Sequence, residues 1–488
     1  MGGMNAERRF ATASYDVDVS PALIANVREG WARDLAPAAE SAEAAEPAEV
    51  APYAAKRREA LSAAFPGRVI IVPAGTPRVR NDDVPYAFRA GSDFVWLTGE
   101  TTQDAVLVMT PSPDSPATHT ATLYLRVCAS RHESPEFFRD RTNGELWTGR
   151  RPGLAETTAT LGLTTRSLDD LEATLAMSAT SGAIVRRGFD AAIDTHIEPN
   201  ADDAVLASTL SDLRLVKDDW EIAQLVDAVA ASVRGFEDVV RELGEARNTS
   251  ERWIEGTFWR RARLEGNDVG YTSIAAAGVH ACVLHWTRND GPVRDGDLLL
   301  LDAGVENRAL YTADITRTIP INGHFTEAQR RVYELVYQAQ TAAIAAVKPG
   351  AKFRDYFRAA NQVLTRGLVD WGILPTSAAD LDGPDGDVHR RYTLHGTGHM
   401  LGLDVHDCSK ARKENYHEGA LHPGYVLTVE PGLYFQADDL TVPEELRGIG
   451  VRIEDDVVVT HDGCRVLTEA LPRDPDDVEA WMSRIVNQ

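Results

Sequence analysis

The sequence predicts an α+β fold in two globular parts, on three observations. Short β-branched runs alternate with helical stretches up to about Ala204. Two long helices with capping signals begin near Asp218 and Thr326. Strand-like apolar runs lie between and after them, and several carry an acidic residue. The 488 residues accommodate two to four domains at roughly 100–200 residues each. The divisions expected are 1–51 (an N-terminal extension and flexible acidic linker), 52–210 (an α/β N-terminal domain) and 211–488 (the α+β part that holds the site).

In chain order, Ser20 to Leu35 is an amphipathic stretch with Pro21 near its start, which predicts a short helix. Ala36 to Ala51, APAAESAEAAEPAEVA, is acidic and low in complexity. It has too little apolar surface to offset its ordering entropy, so it reads as a flexible linker. From Pro52 the chain becomes globular, with helical spacing over Arg57 to Ala64 and strands over Arg68 to Pro73, Asp104 to Thr110 and Thr122 to Val127. The second part opens near Leu213. Asp218 and Glu221 form a capping box for a helix running to about Leu243. Thr326 and Gln329 form another, for a helix ending near Pro349-Gly350. Strands are expected over Asp297 to Asp302, Ala309 to Ile321, Tyr425 to Glu430 and Val451 to Thr460. No short-period repeat is visible.

Composition narrows the function classes. With 50 Lys and Arg against 74 Asp and Glu, the formal net charge is −24. That argues against nucleic acid as the main partner and against docking on an anionic membrane. It favours cationic ligands, such as metal ions or the ammonium end of a peptide. No apolar run approaches the ~20 residues of a membrane span. The first residues, MGGMNAERRF, have no hydrophobic segment behind them, so no secretory signal is expected. Cys128, Cys282, Cys408 and Cys464 lie far apart without metal-ligand spacing and read as free thiols of a reducing compartment, the cytoplasm.

Four clusters carry chemistry. In LLLLDAGVENRALYTADITRT an apolar run enters Asp302, a polar turn follows, and a second run carries Asp314. A hairpin centred on position 308 would set Asp302 opposite Asp314, about 5 Å apart at Cβ. Such a pair is either a solvated edge or the holder of a cation. In HGTGHMLGLDVHD three histidines, His395, His399 and His406, fall in a Gly-rich loop, where a regular helix is not expected. No Glu follows His395, so this is not a zinc-protease helix. In VLTVEPGLYF a strand ends at Glu430, and in GIGVRIEDDVVVT a strand carries Arg452 and Glu454. A carboxylate in an apolar strand is either turned to solvent or paired, because an unpaired buried charge is costly. Four carboxylates (Asp302, Asp314, Glu430, Glu454) supply −4, which two dications balance. Oxygen-rich ligands with one imidazole, His399, favour a hard ion such as Mn²⁺. Two such ions make hydroxide available near neutral pH and polarise a carbonyl, which implies hydrolysis of an amide-like bond. No G-x-S-x-G elbow or GxxxxGK[ST] loop is present, and the glycines of GTGHMLG do not match the dinucleotide fingerprint. A Cys–His nucleophile is not excluded by spacing, although Cys282 and Cys408 read more simply as core thiols.

With all five ligand motifs in order, the chain resembles the bacterial Xaa-Pro aminopeptidases (aminopeptidase P) of the creatinase, prolidase and methionine aminopeptidase superfamily, from about Pro52 onward. Twelve positions separate Asp302 from Asp314, one more than is usual in the best-known bacterial members. The resemblance implies a C-terminal pita-bread domain behind a smaller α/β domain. It implies that Asp302 chelates one metal, that Asp314 and Glu454 bridge both, and that His399 and Glu430 complete the second. It makes Glu430 the proton shuttle, His395, His406 and His285 the outer histidines, Arg452 the partner of the bridging glutamate and Tyr271 a neighbour of the metals. From WTGRRPG it assigns Arg150, or else Arg151, an arginine reaching the active site. The implied cofactors are two divalent ions, Mn²⁺ first with Co²⁺ or Zn²⁺ as alternatives. The implied substrates are peptides with a free N-terminus and proline second, cleaved by a homo-oligomer, dimer or tetramer. The alternatives are a prolidase restricted to dipeptides and a non-catalytic binding module that keeps the fold.

Overall fold

The computed structural model describes residues 19–30, 45–82, 84–129, 136–180 and 182–487. The chain divides into two units, Met1–Leu213 and Arg214–Gln488. Among the described residues no helix is long and apolar enough to cross a membrane. The four cysteines are free thiols.

In the first unit, helix α1 spans Pro21–Gly30. The expected helix continued to Leu35, and its last five positions lie outside the described residues, as does most of the acidic linker. Val50 is already buried, and helix α2 spans Ala51–Ala64. Five strands form one mixed sheet: β1 (Ile70–Pro73), β2 (Val106–Ser112), β3 (Ser115–Leu125), β4 (Thr164–Ser167) and β5 (Ile184–Val185), in the order β4-β3-β2-β1-β5. The apolar faces of β1, β2 and β5 form a core with Leu171, Leu175 and Ile193. Burying this face stabilises the sheet by roughly 1.5–3 kcal/mol per large side chain.

The second unit starts where the capping signals predict. Helix α3 (Asp219–Asn248) opens with the Asp218–Glu221 box, and helix α4 (Glu251–Glu265) follows it directly. Helix α5 (Glu327–Ala346) opens with the Thr326–Gln329 box and packs on α6 (Phe353–Asp370). Helix α3 outruns its expected end at Leu243 by five residues, with Ala246 of the added turn buried, and Phe236 and Phe258 pack it edge-to-face against α4.

The strands show the larger departures. Strand β6 (Ile274–Ala277), β7 (Leu298–Asp302) and β8 (Thr316–Pro320) form an antiparallel sheet in the order β8-β7-β6. Asp302 pairs with Thr316, not with Asp314, so the hairpin centres on position 309 rather than 308. The reason is Asn307. Its Oδ1 accepts from the amides of Ala309 (3.0 Å) and Tyr311 (3.1 Å), closing the turn one residue later. The register continues through Ala303–Ile315 and Val305–Ala313 backbone bonds, so Asp314 falls opposite Gly304. Only glycine fits there, because a Cβ would lie 1.7 Å from the Ala313 carbonyl oxygen. The run expected as a strand from Ala309 is regular only from Thr316.

The run Val451 to Thr460 is not one strand. It forms β11 (Gly450–Arg452) and β12 (Asp455–Val459), which belong to different sheets. Its partner is broken at the same level into β9 (Val426–Val429) and β10 (Gly432–Tyr434). Strand β9 pairs with β12, and β10 with β11. The break is held by Arg317 of β8, only 1% exposed. Its five N–H groups donate to the carbonyls of Pro472, Thr316, Glu454 and Leu471 and to the Asp455 carboxylate.

Candidate active site

The second unit brings together every site residue expected from that part of the sequence. Tyr271, His285, Asp302, Asp314, His395, His399, His406, Glu430, Arg452 and Glu454 line one cavity of about 640 Å³, with Ile274, Leu284 and Val405 on its apolar wall. Each carboxylate sits at a strand end or break. Asp302 ends β7 and Asp314 precedes β8, while Glu430 and Glu454 occupy the breaks between β9 and β10 and between β11 and β12. His399 is carried by an extended segment beside β9, through bonds from Thr428 N to His399 O (2.9 Å) and from Leu401 N to Val426 O (3.0 Å). The histidine loop is irregular throughout, as its glycines predict.

The acidic groups converge. Ligand atoms of Asp314, His399 and Glu454 lie within 4.8 Å of one another. Tyr271 Oη lies 2.7 Å from Asp302 Oδ1 and 2.5 Å from Asp314 Oδ1. A single hydroxyl proton cannot serve two carboxylates at once, so the close approach of Asp302 and Asp314 needs a further proton or cation. Arg452 Nη2 meets Asp302 Oδ2 at 2.5 Å, and Thr316 Oγ1 donates to Glu454 Oε2 at 2.7 Å. His399 Nδ1 donates to the Met400 carbonyl (3.1 Å), which leaves Nε2 facing Asp314 (3.3 Å) and Glu430 (3.7 Å). That tautomer is the one a metal ligand needs.

The protonation equilibria carry the same message. Burial raises Glu454 well above the carboxylate range, reinforced by Asp314, Glu430 and Asp302. Burial raises Asp302 too, against the opposing charge of Arg452. Burial lifts Glu430 to about 7, with His399 and Arg452 opposing and Asp314 adding to the rise. For His399, burial would lower the pKa, but the Asp314 hydrogen bond and the Asp314 and Glu430 charges raise it to about 9. Four carboxylates resist sharing this space without a cation. The donor set of four carboxylates and one imidazole fits hard divalent ions.

The outer residues form a relay. Arg452 Nη1 donates to Tyr434 Oη (3.0 Å), which in turn donates to His395 Nε2 (2.8 Å). His395 Nδ1 then donates to the Gly396 carbonyl (2.6 Å), so the ring is neutral and fixed in one tautomer. Burial, and then the Arg452 charge, depress its pKa to about 4. His406 packs edge-on against His399 at 4.3 Å, and burial followed by the His399 charge lowers its pKa. The thiol alternative loses its chemistry. Burial pushes Cys282 up to about 12 and Cys408 well above its usual range, so both are neutral thiols.

Arg150 belongs to the first unit, where Nη2 pairs with Glu156 Oε2 at 2.7 Å. Arg151 donates to Cys128 Sγ and Asn143 Oδ1, each at 2.9 Å. Sequence reasoning missed Tyr434, Thr316 and Asp456. Asp456 is fully buried and its Oδ2 accepts from the Asp314 amide at 3.2 Å. The run Glu454-Asp455-Asp456 held the signal, since three consecutive acids between apolar residues cannot all face solvent.

Comparison with known proteins matches this geometry. Residues 223–461 match the model of metallopeptidase family M24, and residues 54–185 match the aminopeptidase P N-terminal domain. The chain is 54% identical over 473 residues to Xaa-Pro aminopeptidase 2 of Streptomyces coelicolor, covering 96% of this chain and 97% of that one. It is 34% identical over 454 residues to the Xaa-Pro aminopeptidase of Escherichia coli, covering 88% and 96%. Among solved structures, the aminopeptidase PepP of Pseudomonas aeruginosa superimposes with a TM-score of 0.77 at 32% identity, covering 89% of this chain and 98% of that one.

Proposed function

The chain belongs to the Xaa-Pro aminopeptidases of metallopeptidase family M24, and from that premise we propose how its own residues release an N-terminal residue ahead of proline. The catalytic part is the family's pita-bread α+β fold, which follows the aminopeptidase P N-terminal domain in the chain. Asp302 would hold one divalent ion, Asp314 and Glu454 would bridge two, and His399 and Glu430 would complete the second. The ligand set favours Mn²⁺, with Co²⁺ or Zn²⁺ as alternatives. When bound, the ions supply an ionised water near neutral pH and polarise the scissile carbonyl.

The remaining steps fall to side chains. Glu430 takes the proton of the attacking water and delivers it to the leaving proline nitrogen, a task suited to a carboxylate that faces the cavity from the break between β9 and β10. His406 and His285 face the cavity as donors to the substrate carbonyl and the oxyanion it becomes. Neutral His395, oriented by Tyr434 and Arg452, contributes a polar edge beside them. Tyr271 Oη lies within hydrogen-bond reach of both Asp302 and Asp314 and donates to one of them. The substrates are peptides with a free N-terminus and proline second. An X–Pro bond is a tertiary amide without N–H, so a site that relies on that donor handles it poorly.

One observation carries this reading: five ligand residues, 152 positions apart at the extremes, converge on one cavity with three outer histidines. The free thiols support a reducing, cytoplasmic setting, and the resemblance to the family implies a homo-oligomer, dimer or tetramer. The test is chelation followed by add-back of Mn²⁺, Co²⁺ or Zn²⁺, with Ala-Pro-Ala and Ala-Pro as parallel substrates. Metal-restored cleavage of the tripeptide supports the aminopeptidase. Turnover of Ala-Pro alone makes the protein a prolidase, and activity that survives chelation overturns the metal reading.

A further inference from the structure

Outside the ligand cluster, Glu251 is a buried carboxylate whose side-chain hydrogen bonds, among the described residues, all come from the end of β6 and the loop that follows it. It is the first residue of α4 and is fully buried. Oε1 accepts from the Ala277 amide (2.8 Å) and from His280 Nδ1 (2.8 Å). Oε2 accepts from Trp286 Nε1 (2.7 Å) and from the Gly291 amide (2.6 Å). The Glu251 amide itself donates to the Gly291 carbonyl at 3.0 Å.

These partners run from Ala277, the last residue of β6, to Gly291, and between them the only regular structure is the 3₁₀ turn Gly278–Cys282. A loop of this kind has little ladder bonding to hold its shape. The carboxylate grips it at its start, middle and end. Within the grip, Leu284, His285 and Thr287 line the catalytic cavity. Trp286, next to His285, donates to Glu251 and stacks on His280 with ring centres 3.8 Å apart, while the Arg288 guanidinium lies 4.3 Å from its ring centre. Gly291 allows the close wrap, since a Cβ there would lie 2.3 Å from the His280 ring.

We propose that Glu251 is a positioning residue for the peptidase reaction, fixing His285 at the substrate through the clamped loop. The inference rests on the reading of His285 as a substrate-facing donor. Glutamine keeps the size of Glu251 but turns an amide toward two of the four donors, so half of the grip is lost. A displaced catalytic group costs on the order of 10²-fold in rate when it moves by about 1 Å.

The test is a double-mutant cycle on the full-length, Mn²⁺-loaded enzyme with Ala-Pro-Ala, with bound manganese measured for each variant. Glu251→Gln should lower kcat/KM by about 10- to 100-fold, with metal content unchanged. His285→Ala should lower it as well. The double variant should match His285→Ala within about twofold, because no imidazole remains to be placed. Trp286→Phe removes a single donor and should show the same non-additivity with a smaller loss, which keeps the test open if Glu251→Gln folds poorly. Losses that multiply in the double variant, or wild-type turnover in Glu251→Gln, overturn the proposal. Wild-type turnover in His285→Ala overturns it too. The aminopeptidase reading is judged separately by Asp302→Ala, which should be inactive in either case.

Discussion

Replacing Arg317 by lysine tests how the broken strands are held at the site. The guanidinium reaches Pro472 O (2.9 Å), Thr316 O (3.0 Å), Glu454 O (2.6 Å), Leu471 O (2.9 Å) and Asp455 Oδ1 (2.7 Å). A lysine keeps the charge but offers three donors on one nitrogen, so at least two buried acceptors lose their partner. Each such loss costs about 1–3 kcal/mol, so Arg317→Lys should destabilise the catalytic unit by about 2–6 kcal/mol. The Thr316 carbonyl is the cheapest to abandon, since it also accepts from the Glu454 amide at 3.0 Å. The Asp455 carboxylate is the dearest, although Thr468 and Gln340 remain bonded to it. Urea unfolding followed by far-ultraviolet circular dichroism reads the change as a lower midpoint at constant slope. Manganese affinity should fall with it, because the Glu454 backbone is one of the groups released. An unfolding free energy within about 0.5 kcal/mol of wild type, the range of an ordinary surface substitution, would refute the reasoning.

Asp302→Ala and Glu454→Ala should each abolish both turnover and metal binding, measured by activity and by bound manganese, and near-normal turnover in either removes that residue from the site. His406→Ala should keep its metal and lose about 10²–10³-fold in kcat, the scale of one transition-state donor; loss of metal would move His406 into the ligand set. A pH prediction concerns Asp407, buried against Arg214 and Lys217. Burial alone would raise its pKa, but those two charges overcome burial and hold it well below the usual carboxylate range. With the folded pKa depressed, its stabilisation is complete above the unfolded value of about 3.9 and is lost as pH falls toward the folded one. Asp407→Asn should therefore be less stable than wild type in urea at pH 7, with the gap narrowing below about pH 4.

Chemistry was more legible in the sequence than geometry. Four of the ligands could be read because each places a carboxylate in or at the end of an apolar run, and the fifth because three histidines crowd one Gly-rich loop; so many acids beside an imidazole have one economical explanation. The hairpin register could not be read from spacing, because Asn307 moves the turn centre by one residue through its own side chain. That shift breaks the direct pairing of Asp302 with Asp314 but leaves both on one face, bridged by Tyr271. The break in Val451 to Thr460 was hidden because GVRIEDDVVV has the composition of a continuous strand. Tyr434 and Thr316 act only through partners more than 15 positions away, so no local pattern marks them.

These two misreadings have a common cause that explains the site itself. Sequence reasoning treated the carboxylates as residues on strand faces, where a buried acid contradicts the apolar pattern around it. The structure puts Asp302, Asp314, Glu430 and Glu454 where ladders end or change sheets. There the backbone leaves its regular path, side chains can turn into a shared gap, and neighbouring strands stay apolar without conflict. Arg317 fastens one side of the opening, Arg452 balances one acid within it and His399 faces two others, yet together they leave part of the −4 uncompensated. A fold that opens its sheets to gather like charges, and supplies so little of the opposite sign, is stable in that form chiefly with cations in place.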